Sequence, residues 1–143
     1  MTALSTVVAA FVSKLQAQPA VSTNVERSRM RPWKAGVSSA VVVRPVRADA
    51  ITPQLLAGGS YAWDALIVVE CYARAAAGTS PDAAVDSLLG AVYGRLMADQ
   101  TLGGAVRHIE PTTIGYEFDV DEQATACASI QFIARSVTAP NAL

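Results

Sequence analysis

One histidine, His108, is present in the chain. Any Ser-His-Asp or Cys-His catalytic set must therefore run through it. It has Glu110 beside it in a strand-like stretch, where a histidine more often serves structure or solvation than catalysis. Two cysteines, Cys71 and Cys127, are 56 positions apart. With one histidine they make a poor zinc set, since a closed site needs four ligands. Both lie in strand-like runs and read as reduced, buried thiols; a disulfide would need a geometry that sequence does not supply. Gly58-Gly59 and Gly103-Gly104 lack the following Lys-Ser or the strand-to-helix context of a nucleotide fingerprint. No cofactor and no metal is expected, and the chain reads as non-enzymatic.

Two charged groups remain. Arg27, Arg29, Arg31 and Lys34 surround Trp33, with Arg47 further on. Alternate arginines on a strand project to one face, and a tryptophan among them can serve as a stacking platform or an interface anchor. A protein contact suits this group better than nucleic acid, because a sequence pI of about 5.7 argues against nucleic-acid binding as the main role. Glu117, Asp119 and Asp121 recur at every second position, followed by Glu122. They read as one outward acidic strip, either plainly solvated or serving as an assembly surface or the wall of a DNA channel. Arg74, His108 and Glu110 are the residues to watch if the chain were instead a small enzyme or ligand-binding domain.

These groups need a scaffold. The 143 residues fit one domain, and a chain of that size buries about 68–70% of its unfolded surface. Hydrophobic residues make up 52% and charged residues 16%; so low a charge suggests that partners cover some of the surface. The net charge of −1 divides unevenly, with +6 over residues 1–47 and −7 over the remainder. Such polarity suits head-to-tail stacking, unless the fold mixes the two halves. No apolar run approaches the ~18 residues of a membrane span. The run from Val7 to Val12 has Lys14 after it and no basic residue before it, the reverse of a secretory leader. A reducing cytoplasm is expected, at least during assembly, with no membrane partner.

Periodicity supplies the elements. Leu4, Val7, Val8, Phe11, Val12 and Leu15 make one face of a helix over 3–16, capped by Thr2 or Ser5 and stopped by Pro19. Residues 20–29 predict a strand, and 30–38 a loop. Residues 39–46 predict a second strand that Pro45 must place at an edge, bulge or end. A long connection spans 47–60. Residues 61–73 form the best strand, apolar on both faces and so central, covered at least in part on each side. A helix over 80–98 has Ser80 as N-cap, Pro81 at its first position and Asp82 at its positive end. Val85, Leu88, Leu89, Val92 and Leu96 form its stripe, joined by Tyr93 or Met97, and Gly90 and Gly94 predict a groove for close packing. Strands follow near 105–110, 113–120 and 124–137. Ile114, Tyr116, Phe118 and Val120 predict a buried face opposite the acids. The expected fold is α+β: a mixed, mainly antiparallel sheet with two helices packed on it, in the order α-β-β-β-α-β-β-β. It forms one domain over 1–138, with a flexible tail at 139–143.

The second half carries a resemblance. A strand ends Ile67-Val68-Val69-Glu70-Cys71-Tyr72-Ala73-Arg74, and a helix starts at Ser80-Pro81. Then come Leu96-Met97-Ala98-Asp99-Gln100-Thr101-Leu102-Gly103-Gly104, an amphipathic strand, an acidic turn, and Ile130-Gln131-Phe132-Ile133-Ala134-Arg135. This is similar to the tail terminator, or tail completion, proteins of long-tailed bacteriophages (minor tail protein U type). The resemblance implies a homo-oligomeric ring, usually of six subunits, at the top of the tail tube. Such a ring ends tube polymerisation and offers the surface that joins the head. Its implied partners are the tail tube protein, the head-tail connector proteins and DNA, which passes through the hole without sequence-specific binding. The implied location is the tail or neck of the virion. A neck adaptor between portal and tail would share this logic, and a small nucleic-acid-binding module is the reading from a different class. The resemblance carries no catalytic residues. The loop over 28–38 and the connection over 47–60 are the expected sites of subunit or tube contact.

Overall fold

The computed structural model describes residues 1–29, 36–51, 59–118 and 125–143. The first helix, α1, spans Ala3–Gln16; Thr2 Oγ1 accepts the Ser5 N–H at 3.1 Å and so caps it. Val7, Val8, Phe11 and Leu15 are its buried stripe. The helix closes before Pro19, and the Ala17 N–H bonds back to Ser13 O at 3.0 Å.

The expected strand over 20–29 shortens to β1, Val25–Arg27. Side chains compete with the ladder ahead of it. Ser22 Oγ accepts from Asn24 N–H at 3.2 Å, and the Asn24 amide donates to Ser39 O at 3.1 Å. Behind it Ser28 sits at φ 47, a left-handed position that turns the chain out of the strand. β2, Ser39–Ala50, runs longer than expected. The register shifts between Pro45 and Arg47, so the proline is absorbed in a bulge and pairing resumes beyond it. The connection anticipated over 47–60 is correspondingly shorter.

β3, Tyr61–Arg74, is central, paired with β2 on one side and β5, Thr125–Thr138, on the other. The two strands expected near 105–110 and 113–120 are one, β4, His108–Phe118, with a bulge between Pro111 and Thr113. Among the described residues the order is therefore α-β-β-β-α-β-β, one strand fewer than expected. The sheet order is β1-β2-β3-β5-β4; β1 runs parallel to β2 and the other pairs are antiparallel. β3 and β4 are thus parallel, with β5 inserted between them, and α2, Pro81–Met97, makes the crossover.

Both helices lie on one face of the sheet. Val7, Phe11 and Leu15 of α1 and Val85, Val92 and Leu96 of α2 pack with Val41, Ile67, Ile130 and Phe132. Phe11 and Phe132 meet with ring centroids 5.7 Å apart. Among the described residues no helix covers the opposite face, so the cover expected on both sides is partial there. Leu66 and Val68 on that face are nevertheless buried. Longer neighbours flank them across the strands, Arg44 and Gln131 beside Val68, Ile133 beside Leu66. Arg and Gln stems can shelter apolar surface while their polar ends stay wet.

Candidate assembly surface

Polar groups that could do chemistry are spread out. Arg74 lies at the end of β3 that pairs with Thr125, whereas His108 pairs with Arg135 at the other end of β5. Ten residues of strand, roughly 33 Å, separate those two rows. His108 and Glu110 are 3.9 Å apart and both exposed. Among the described residues no group of three or more His, Cys, Asp or Glu side chains is gathered as a metal would need. Cys71 points into the core and Cys127 to the opposite face, and both are free thiols. Burial pushes Cys71 up to about 12, and burial also pushes Cys127 up to about 11, so neither favours the nucleophilic thiolate.

The helix-free face is a lattice of polar pairs. Glu70 accepts Arg44 Nε at 2.6 Å and the Tyr72 hydroxyl at 2.8 Å. Burial, then the bond to Glu70, raises the Tyr72 phenol above its ordinary range. Asp64 accepts Arg135 through two nitrogens, at 2.9 and 3.0 Å. This fork holds the Arg135 guanidinium more firmly protonated. Every charged member of both clusters has a partner, so the face is satisfied in itself.

The step that carries the sequence resemblance, Asp99 to Gly104, proves to be a latch. The Asp99 carboxylate accepts Thr101 N–H at 3.1 Å, Thr101 Oγ1 at 2.8 Å and Gly103 N–H at 2.8 Å, and pairs with Lys14 of α1 at 3.1 Å. The hydrogen bonds from Thr101 and Gly103 and the Lys14 contact hold the carboxyl well below the usual carboxylate range. Leu102, at φ 51, drops into the core while Gly103 and Gly104 turn the chain at φ 71 and 88. Ile109 N–H then reaches Gln100 O at 2.9 Å and starts β4. The motif therefore fixes where α2 ends, where α1 lies and where β4 begins.

The basic group does not form one strand face. Because the strand ends at Ser28, Arg27 turns to α1, its Nη1 3.5 Å from Ser5 O, while Arg29 clasps the Glu26 carboxylate at 2.6 Å. Arg47 is exposed and pairs with Asp49 at 2.8 Å. Arg31, Trp33 and Lys34 lie outside the described residues. Glu117 is exposed on the helix-free face of β4. Asp119, Asp121 and Glu122, with Val120, lie outside the described residues.

The surface that sequence reasoning missed is apolar. Ile114, Tyr116 and Phe118 lie on the helix side of β4, but they are 48, 48 and 53% exposed instead of buried. The reason is reach: α2 packs mainly on β3 and β5, leaving the far end of the edge strand uncovered. Tyr116 and Phe118 stack at 6.4 Å. Alternation along a strand reports which residues share a face, and it cannot report whether a helix extends over that face. Of the two residues expected as candidates to join the α2 stripe, Met97 packs against the core and Tyr93 is 39% exposed. Gly90 and Gly94 face outward, and a Cβ added at either meets nothing within 4 Å, so they make no close packing among the described residues.

This fold recurs in a virion. A solved structure described as the virion of a native gene transfer agent (GTA) particle contains a chain that matches with a TM-score of 0.58. The match covers 91% of this chain and 93% of that one, at 16% sequence identity. No protein-family model matches the chain, and no curated protein matches it in sequence. The two chains share their fold over nearly their whole lengths.

Proposed function

We propose that this chain is a structural virion protein of the tail terminator type. It assembles into a ring on the end of the tail tube, stops tube growth and presents the head-joining surface, while DNA passes through the hole. The near-full-length likeness in fold to a chain of the gene transfer agent virion carries the reading. The resemblance in the Asp99–Gly104 step and the strands around it supports it independently. A half-exposed apolar edge on a chain with only 16% charged residues also fits a surface that is covered on assembly. In this reading Arg27, Arg29, Arg31, Trp33, Lys34 and Arg47 meet a neighbouring subunit or the tube. Glu117, Asp119, Asp121 and Glu122 supply an acidic surface. The work is done by interfaces and needs no cofactor.

The test is light scattering after size exclusion, with negative-stain images of the peak, repeated with purified tail tubes. Rings with a central hole, free in solution or seated on tube ends, are the expected result. A monomer at every concentration that also ignores tube ends would overturn the reading.

A further inference from the structure

Among the described residues the sheet has two open edges on opposite sides. Among the described residues no strand lies beyond β4. Its helix side carries the ridge of Ile114, Tyr116 and Phe118, and its other side carries Glu117. Across the molecule, β1 covers only Val41 to Val43 of β2. The stretch from Arg44 to Ala50 therefore has an open edge among the described residues. Beside it lies a hollow of about 280 Å³ between the start of α1 and β2, with Leu4, Val8, Val46 and Ile67 among its walls and Arg27 and Arg47 adjoining them. Val46 itself is 47% exposed.

We propose that β4 of one copy adds to the open edge of β2 in a second copy, seating the ridge against this hollow and Glu117 beside Arg47. The inference rests on the assembly reading above and names its interface.

Strand direction supports it. β3 runs antiparallel to both β2 and β5, and β4 antiparallel to β5. A second β2 placed beyond β4 in the same orientation, and displaced along the strands by about six residues so that the row of Arg47 and Leu66 comes level with that of Glu117 and Tyr72, runs antiparallel to β4 with its faces preserved, and the alternation continues from copy to copy. Main-chain hydrogen bonds then extend across the joint, as in strand addition generally. Charge supports it too. Arg47 lies across from Leu66, and Glu117 across from Cys127, which in turn faces Tyr72; all are on the helix-free face. The side chain of Arg47 is 61% exposed and its Asp49 partner 65%. Exposed pairs of this kind hold weakly, so Arg47 can exchange partners at little cost. The apolar ridge and the apolar hollow both belong to the helix side. One chain thus carries both halves of the contact on opposite edges. Such an interface is heterologous, and it closes into a ring when its rotation divides the circle. It also covers two strand edges that would otherwise invite indiscriminate pairing.

The experiment compares the concentration of half-assembly for wild type, Phe118→Ser, Glu117→Arg, Arg47→Glu and the double reversal Glu117→Arg/Arg47→Glu. Circular dichroism checks that each is folded, as half-exposed sites permit. Phe118→Ser is expected to raise that concentration by about 30-fold or more, the loss of an interface anchor. Each single reversal is expected to raise it roughly tenfold, and the double reversal to recover most of that loss. Wild-type rings with every variant assembling alike would overturn this interface and leave the ring reading standing. Unchanged ring mass with lost tube binding in Phe118→Ser would assign the ridge to the tube protein and overturn the contact between copies. A wild type that never assembles, alone or on tubes, would remove both.

Discussion

Arg95 is predicted to hold α1 in place from α2. Its Nη1 donates to Ala17 O at 2.7 Å and lies 3.4 Å from Lys14 O, and its Nη2 donates to Pro19 O at 2.5 Å. These carbonyls belong to the end of α1 and the turn after it, where helix carbonyls lack partners and a positive charge is favoured. A hydrogen bond to a charged group contributes about 1.5–3 kcal/mol when well shielded. The contacts here are partly exposed and share one guanidinium, so together they are expected to be worth about 1–2 kcal/mol. Arg95→Met keeps most of the aliphatic stem and removes the donors, leaving loss of the cap as the dominant effect. At about 2–4 °C per kcal/mol for a chain of this length, the melting temperature should fall by roughly 2–8 °C. Urea unfolding provides the assay: the midpoint should drop at constant slope, since the exposed area on unfolding is unchanged. Arg95→Lys should recover less than half of the loss, because an ammonium is a point charge that cannot span all three carbonyls. An Arg95→Met midpoint equal to wild type would refute the argument, and a changed slope would show that the variant alters the ensemble instead of a cap.

Two further predictions concern the latch and the outer face of α2. Asp99 has its folded pKa depressed, so its stabilisation is present above the ordinary carboxylate range and is lost as pH falls through that range toward the folded value. Asp99→Asn should therefore lower the melting temperature at neutral pH and flatten the decline of stability on acidification below about pH 4; a parallel decline in both proteins would contradict this. Gly90→Ala and Gly94→Ala should each stabilise the dilute, unassembled chain by roughly 0.5–1 kcal/mol, since the added methyl meets open space. A lower melting temperature for either would show that the helix face is not open. If the same substitutions impair ring formation while stabilising the monomer, the glycines are kept for a contact between chains.

Local physics made most of the fold legible in the sequence. The i, i+3, i+4 recurrence set α1 to its residues, because one unbroken stripe with a cap before it and a proline after it leaves little freedom. Ser80-Pro81 set the start of α2 in the same way. The errors fall where long-range pairing overrides local preference. Residues 20–29 alternate well enough for a strand, yet Ser22 and Asn24 spend their side chains on Ser39 and leave three residues to pair. Pro45 left an edge, a bulge or an end open for β2, and the structure takes the bulge; β4 likewise passes Pro111 through a bulge and pairs on beyond it. Whether a bulge or a break follows depends on whether the partner strand continues, and β3 and β5 do continue. The candidate site was less legible for the same reason. The acids and arginines announce themselves by charge, whereas Ile114, Tyr116 and Phe118 look like any core-facing strand until the extent of α2 is known.

That distinction bears on how the chain would avoid trouble ahead of the proposed assembly. An edge strand with three large exposed apolar side chains is a site for unwanted association. Glu110 and Glu117 on the opposite face of β4 provide repulsion between like edges, so two β4 strands meeting head-on bring acid against acid. The β2 edge carries Arg47, whose exposed pairing with Asp49 is weak enough to exchange, and so offers the opposite charge. The same charges that discourage a symmetric pair therefore favour the head-to-tail one. The selection acts only while those charges are unscreened, with a range of about 10 Å at 0.1 M salt. At high salt the apolar ridge loses its guide but keeps its drive to be buried. Discrimination between the ordered ring and indiscriminate edge pairing should therefore be worst where salt is high, even though the ridge is buried in both.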